Sequence, residues 1–453
     1  MEAVRGTKQD FTEGSIGRAV LLLATPMVLE MVMESLFAIV NVFWVTRLGA
    51  DAIATVGLTE SMMTIVFAFG IGVSMSTTAM VARRIGEKDH QGAATAGVQA
   101  IVLGIGLSIL MGVPAFLLAP KLLAFMGATP QLVAMGQNYT AIVLGANVVV
   151  VLLFLNNAIF RGAGDASIAM RVLWMSNLIN LVLDPCLIFG LGPFPELGIT
   201  GAAISTLIGR GFGVSFQLWT LASGRSRVHI RRSDLKIVPK VLGTLAKVST
   251  TGVLQFAVGN LSWLILVRMI SSFGSLAVAG YTIGIRIFIF AILPSWGLSG
   301  AAATMVGQNL GSGKPDRAEK AVYITGFYNA AYLGAVAVVF IFAPGWLVSF
   351  FTNDPSVTGY AVACLRTIGF GNLAYAFGMV MVQAFNGAGD TITPTLINMI
   401  GFWLCEIPLA WALGFWWGFG VNGIFYAIPI AHVLITVMGI TMFLRGSWKQ
   451  RRI

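Results

Sequence analysis

Five acidic side chains sit where water should be scarce. Glu30, Glu34, Glu60, Asp184 and Glu406 all fall inside long apolar runs of a chain that has only 18 Asp and Glu in total. An ionisable group in such a run is costly and normally faces a cavity or a partner. Four of the five lie in the first half of the chain and one, Glu406, in the second. At 100° per residue, Glu30, Glu34 and Asn41 point within roughly 40° of one another on one helix. Asn177, Asn180 and Asp184 make a second one-sided polar stripe, and Ser205 and Thr206 on the returning helix can approach its level. Oxygen ligands from three helices, carboxylates among them, are what a hard monovalent cation needs. The same carboxylates, desolvated, could carry a proton instead. Na+ at Asp184, Asn180 and Thr206, or H+ on the carboxylates, are the two chemistries this pattern allows. The alternative is a hydrogen-bonded network that only glues helices, at about 0.6–2 kcal/mol per bond. Neutral side chains could do that without the cost of charge.

The elements that hold these residues are transmembrane helices. Charged residues are 10% of the 453 and apolar ones 57%, with a mean hydropathy of +0.86. A soluble protein of this length could not cover its surface with so few charges. Apolar runs long enough to cross about 30 Å of hydrocarbon occur twelve times. They cover roughly 17–47, 51–82, 92–118, 131–160, 167–190, 197–222, 240–271, 276–308, 317–343, 357–385, 393–416 and 420–444. The fold class is therefore all-α and polytopic. Pro26, four residues before Glu30, removes an amide donor and should kink the first helix there. Cys186, Cys364 and Cys405 lie in apolar runs and give neither a disulfide framework nor a metal spacing.

The chain also repeats itself at a fixed distance of 225 residues. Phe160-Arg161-Gly162-Ala163-Gly164-Asp165 reappears as Phe385-Asn386-Gly387-Ala388-Gly389-Asp390, and Arg83-Arg84-Ile85-Gly86 matches Gln308-Asn309-Leu310-Gly311. Six helices per half with a matching loop pattern give parallel repeats, an architecture that lets a site between two lobes open to either side in turn. The expected division is a lobe at 1–222, a linker at 223–247 and a lobe at 248–453. Asp165 and Asp390 are expected to cap the helices that follow them. A single chain that holds both lobes is expected to act as a monomer.

The net charge of +10 does not point to nucleic acid. With both termini on one side, that side's segments hold 22 of the 28 Lys and Arg, the opposite loops hold Arg47 and Lys121, and Arg210, Arg268, Arg286 and Arg366 lie within spans. This asymmetry predicts cytoplasmic termini in a cell (inner) membrane. Trp44, Trp346, Trp411, Trp416 and Trp417 at one end of the spans, and Trp219 and Trp448 at the other, are expected interface anchors. Arg286, the deepest arginine of the second half, could pair with Glu406 or reach water along its stem. No nucleophile–histidine–acid set, metal-ligand pair or phosphate loop appears in the spans, so no enzyme and no cofactor is expected beyond a coupling ion.

These residues resemble the multidrug and toxic compound extrusion (MATE) family over nearly the whole chain. The resemblance is carried by Arg286-Ile287-Phe288, Leu293-Pro294, Gly297-Leu298-Ser299, Ala301-Ala302-Ala303, Gly307-Gln308-Asn309-Leu310-Gly311 and Asp316-Arg317-Ala318, together with 160–165, Asp184-Pro185 and Gly201-Ala202-Ala203. The lack of acids in the seventh and tenth helices is similar to the DinF-like branch. The resemblance implies two six-helix lobes around a central cleft and export of hydrophobic, often cationic small molecules against H+ or Na+. It places the coupling site at Asn180, Asp184 and Thr206. One departure stands out: the family usually has an aspartate where this chain has Asn41, so Glu34 or Glu30 would supply the missing charge. Met27, Met31, Met33, Phe37 and Phe154 on one side and Phe256, Phe288 and Met305 on the other would line the cleft, since aromatic faces and soft sulfurs suit flat cations. The competing reading, a flippase of lipid-linked intermediates, would need a basic cleft for phosphates. Membrane lipids are the remaining expected partners, with no nucleic acid.

Overall fold

The computed structural model describes residues 2–6, 9–451 and 453. Lys8 and Arg452, both counted in the charge asymmetry, lie outside the described residues. Twelve helices are long and apolar enough to cross a membrane. In chain order they are α1 (Ile16–Thr46), α2 (Ala50–Gly86), α3 (His90–Leu117), α4 (Pro130–Ala163), α5 (Ala166–Phe189), α6 (Gly198–Ala222), α7 (Pro239–Ser271), α8 (Ser275–Gly311), α9 (Pro315–Phe342), α10 (Pro355–Gly387), α11 (Ile392–Trp416) and α12 (Gly420–Leu444). All twelve expected spans are present. Among the described residues the remaining regular structure is short helical turns.

The repeat is visible in the helix ends. Shifted by 225 residues, Ala50–Gly86 becomes Ser275–Gly311 and His90–Leu117 becomes Pro315–Phe342. Local chemistry sets these ends twice over. Gly49 and Gly274 precede α2 and α8 with φ of 99° and 106°, a region that glycine enters without strain. Thr129 and Asp354 cap α4 and α10 by accepting from the Leu132 and Ser356 amides, and each is followed by proline at the first helical position. Gly162 lets α4 lie against the Thr78 carbonyl of α2, where a Cβ would sit 2.8 Å away; Gly387 does the same for α10 on the Ala303 backbone of α8.

Contacts divide the chain into two compact units. Among the described residues, unit 1 holds 2–6 and Leu29–Thr250, and unit 2 holds 9–28 and the chain from Thr251 onward. This differs from the division at 222/248 expected from the sequence. The first turns of α1 belong to unit 2, because Gly297 and Gly300 of α8 leave room for Met27 to pack against them. The linker and the start of α7 belong to unit 1, where Ser249 and Ser76 share a 2.7 Å hydrogen bond. The change of unit in α1 falls within two residues of Pro26.

Two local features, at Trp448 and Asp165, also differ from expectation. Trp448 is not an interface anchor: it is fully buried, stacked on Phe443 at 4.7 Å, and donates to the Phe443 carbonyl at 3.0 Å. Lys449 beside it bonds Glu319 at 2.5 Å and lies 3.6 Å from Asp316, and the Glu319 bond holds its pKa above the ordinary lysine value. Asp390 caps α11 through Thr393, as expected, and also pairs with Arg451. Asp165 makes no cap. Its carboxylate is occupied by the linker, through Ser226 and Arg227.

Candidate functional site

The carboxylates of unit 1 meet different fates. Glu30 is 1% exposed, and its Oε1 accepts from Arg161 Nη2 at 2.5 Å and from Asn157 Nδ2 at 3.0 Å. Asn157 in turn accepts from Gln217 Nε2 at 2.6 Å. The network ties α1 to α4 and α6, and its cation is matched to its anion. Glu34, one turn on, is half-buried and faces a different helix: Arg210 of α6 lies 3.5 Å from its Oε1. Asn41, further along the same stripe, is half-buried. The stripe therefore spreads over two neighbouring helices rather than converging on one point. Glu60 is exposed on α2.

Asp184 is different. It is 1% exposed, it has no ion-pair partner among the described residues, and its Oδ1, like Glu30 Oε2 and Glu34 Oε2, is buried without a hydrogen bond. Its Oδ2 accepts from Asn180 Nδ2 at 2.9 Å. Ser205 of α6 is also buried here and donates to the Asn180 backbone carbonyl at 3.4 Å. Thr206, its neighbour, is half-buried. Two helices reach this spacing because α6 turns glycine towards α5. A Cβ at Gly209 would sit 2.8 Å from the Ser176 carbonyl and 3.2 Å from Asn180 Oδ1, and one at Gly201 would overlap Leu187. Asn177 Nδ2 and Ser176 Oγ on the same helix are also buried without partners. Buried polar atoms left unsatisfied are rare and point to an ion or water that completes them. A buried carboxylate without a cationic partner is the chemistry that a small cation or a proton satisfies.

Two stretches of the chain, residues 26–186 and 253–412, match the MatE family model. The chain belongs to the MatE family. It is a multi-pass membrane transporter and not an enzyme. Relatives in the MatE family include the probable multidrug resistance protein NorM of Thermotoga maritima, 23% identical over 448 residues, covering 97% of this chain and 94% of the relative. The FAD transporter of Shewanella oneidensis is 25% identical over 422 residues, covering 93% of each. The multidrug export protein MepA of Staphylococcus aureus is 23% identical over 432 residues, covering 94% of this chain and 92% of the relative. In fold the chain is similar to a crystal structure of MATE in the straight conformation, with TM-score 0.91 and 24% identity over 100% of both chains. It is also similar to one in the bent conformation, with TM-score 0.90 and 24% identity over 99% of this chain and 98% of that one.

The side chains expected to line a MatE substrate path are not equally available. Met27 is buried against Gly297 and Gly300, and Met305 is buried within α8. Phe37 is buried in unit 1, while Met31 and Met33 are half-buried. Phe154 is half-buried, edge-on to Phe67 at 6.1 Å. Phe256 and Phe288 are half-buried in unit 2, where Phe288 packs against three apolar clusters.

Within its spans, among the described residues, unit 2 keeps one buried acid. Glu406 is buried at the end of a π-helical stretch, Met399–Glu406, and accepts from Ser262 Oγ at 3.1 Å. Arg286 is exposed and makes no ion pair with Glu406, so of the two roles open to it the structure keeps solvent or headgroup access. His432 stacks on Tyr375 at 3.8 Å with Nδ1 unbonded, and the buried Asn372 has both amide atoms unbonded. The sequence reading missed the partners that decide which acid is free: Arg161 for Glu30, Arg210 for Glu34 and Ser262 for Glu406. Arg161 reads as a loop cation, and it lies 131 residues from Glu30, so no local spacing links them.

Proposed function

We propose that the chain exports drug-like, hydrophobic and often cationic small molecules in exchange for a cation bound at Asp184, with Asn180, Ser205 and Thr206 as the neighbouring ligands. The observation that carries this is the contrast within unit 1. Glu30 and Glu34 each face an arginine, whereas Asp184 is buried with no cation of its own among the described residues. A buried carboxylate without a partner is neutralised by whatever small positive ion reaches it. Its occupancy changes the cost of burying the α5–α6 face and so can bias two conformations. H+ and Na+ both fit this chemistry. Sodium would take oxygens from Asp184, Asn180 and Thr206; a proton needs Asp184 alone. Glu30, already neutralised, serves as a fastening of α1, and Glu34 is the acid of the first helix that could stand in for the aspartate replaced by Asn41.

The same reading assigns the chain to the DinF-like branch, with the coupling acid in the first half and Gln255 and Asn372 in the seventh and tenth helices. It places both termini in the cytoplasm on the Lys and Arg asymmetry, and it treats the single chain as the working unit. The lipid-linked flippase and other anionic-substrate readings gain some support from the FAD transporter among the relatives. Against them, Arg161 and Arg210 are each engaged by a carboxylate and so are poor phosphate receptors.

The test is efflux of a fluorescent organic cation from proteoliposomes, with pH and sodium gradients imposed separately. The parent responds to one of them, and Asp184→Asn responds to neither while remaining folded. Gradient-driven efflux by Asp184→Asn at the parent's rate overturns the assignment.

A further inference from the structure

The segment between α6 and α7 is wired to unit 1 at both ends. Asp165 Oδ2 accepts from Ser226 Oγ at 2.8 Å and from the Arg227 amide at 2.7 Å, and Oδ1 lies 3.3 Å from Arg227 Nε. Further along, the fully buried Gln99 of α3 grips the backbone with both ends of its amide. It donates to the Lys236 carbonyl at 2.8 Å and accepts from the Val238 amide at 3.0 Å. Asp234 closes the turn between these anchors by accepting from the Arg231 amide at 2.9 Å.

A segment fixed this firmly could turn its apolar side chains inward. It does so at Val228, which is fully buried, but not between Asp234 and Val238. Leu235 and Ile237, on either side of the gripped Lys236, are 65% and 64% exposed. Arg231, Arg232, Lys236 and Lys240 are exposed around them. Asp234 is the lone acid of residues 223–247. At the end of α6, Arg225 lies 4.4 Å from the centre of the exposed Trp219 ring. Presenting two aliphatic side chains to water forfeits their transfer free energy. The arrangement makes sense at the boundary where the spans end. There apolar tips can enter the acyl region while cations meet phosphates.

We propose that residues 231–240 form a docking surface for anionic phospholipid of the adjoining leaflet. Arg231, Arg232, Lys236 and Lys240 engage the headgroup phosphates, and Leu235 and Ile237 enter the acyl layer. The Gln99 grip supplies the rigidity, because it holds the backbone at Lys236 and Val238 and leaves the side chains to project. The surface would tie the linker between the two halves to the charge of the membrane.

The experiment is native mass spectrometry of the full-length protein equilibrated with equimolar phosphatidylglycerol and phosphatidylcholine. The parent retains phosphatidylglycerol in preference. Arg231→Gln/Arg232→Gln/Lys236→Gln loses the preference, by about fivefold per cation removed, and Arg231→Lys/Arg232→Lys/Lys236→Arg keeps it. Leu235→Ser/Ile237→Ser lowers retention of phosphatidylglycerol with every cation in place. Equal retention of the two lipids by the parent, or an unaltered preference in the triple glutamine variant, overturns the proposal. Unchanged retention after the two serine substitutions removes the insertion, and complete displacement of the lipid by inorganic phosphate would make this a soluble-anion site instead.

Discussion

Replacing Arg161 by methionine isolates the cost of an unmatched charge in unit 1. Glu30 is 1% exposed and takes both of its described hydrogen bonds on Oε1, one from the guanidinium at 2.5 Å and one from Asn157 at 3.0 Å. Breaking a buried pair by removing one partner costs about 3–5 kcal/mol. The Arg161 side chain is 29% exposed, so water already screens part of the pair and the loss falls to the bottom of that range or just below it, about 2–3 kcal/mol. Glu30→Gln is milder. The glutamine Oε1 can still accept from Asn157 and from Arg161, so the loss is confined to charge assistance, about 1 kcal/mol. In Glu30→Gln/Arg161→Met no charge is stranded, and its stability should exceed that of Arg161→Met alone. The assay is chemical unfolding in detergent, followed by the size-exclusion profile, on the parent, both single variants and the double. Additive losses would show that the two side chains do not interact. An Arg161→Met variant as stable as the parent would refute the buried pair itself. Efflux adds a second readout: on the proposed reading Glu30→Gln should keep gradient-driven transport, because Glu30 is already paired with Arg161.

Other consequences are more local. Gly387→Ala should be strongly destabilising, since its Cβ would strike the Ala303 backbone, whereas Gly106→Ala, with open space at its Cβ, should gain about 1 kcal/mol of helix propensity; melting midpoints moving in opposite directions check this. Trp448→Ala removes a fully buried indole stacked on Phe443 and should cost about 3–5 kcal/mol, with limited proteolysis cutting the C-terminal tail first. Gly209→Leu should separate α5 from α6 and abolish ion-dependent efflux even with Asp184 intact, because a Cβ there would sit 2.8 Å from the Ser176 carbonyl; normal coupling in that variant would show that the spacing does not matter.

Periodicity and length are local properties, and they carried the fold. Each of the twelve spans is an unbroken apolar stretch between turn residues, and the 225-residue offset placed the second set on the first. The acids were legible for the same reason: a carboxylate among apolar neighbours stands out without any knowledge of what surrounds it. Their partners were not. Glu30 and Arg161 come together only because α1 lies against α4, and Gln99 meets Val238 only because the linker folds back over α3. Gln99 did carry a signal, as a long amide inside an apolar run. Asp165 and Asp390 show the limit most plainly. They occupy the same place in the same motif, yet one caps a helix and the other holds a loop, because Ser226 and Arg227 compete for the Asp165 oxygens.

The repeat also shows how charge was distributed between the halves. At the 225-residue offset, Glu30 corresponds to Gln255 and Arg161 to Asn386. Both members of the pair are charged in unit 1 and both are neutral amides in unit 2. A buried carboxylate without its guanidinium, or the reverse, carries the cost of an uncompensated ion, whereas removing both together can be neutral. Only the charged pair and the wholly neutral pair avoid that cost, and the two halves occupy one state each. Asp184 and Glu406 lie outside this rule, since each is buried with no basic partner among the described residues. On the proposed reading, the compensating cation of Asp184, the one of the two that lies in unit 1, comes from outside the chain. The sharpest form of the test is Leu187→Arg, one turn along α5 from Asp184. A fixed guanidinium there should stabilise the protein if it reaches Asp184 and should abolish gradient-driven efflux. Retained coupling in a variant whose arginine is shown to pair with Asp184 would mean that the transported ion binds elsewhere.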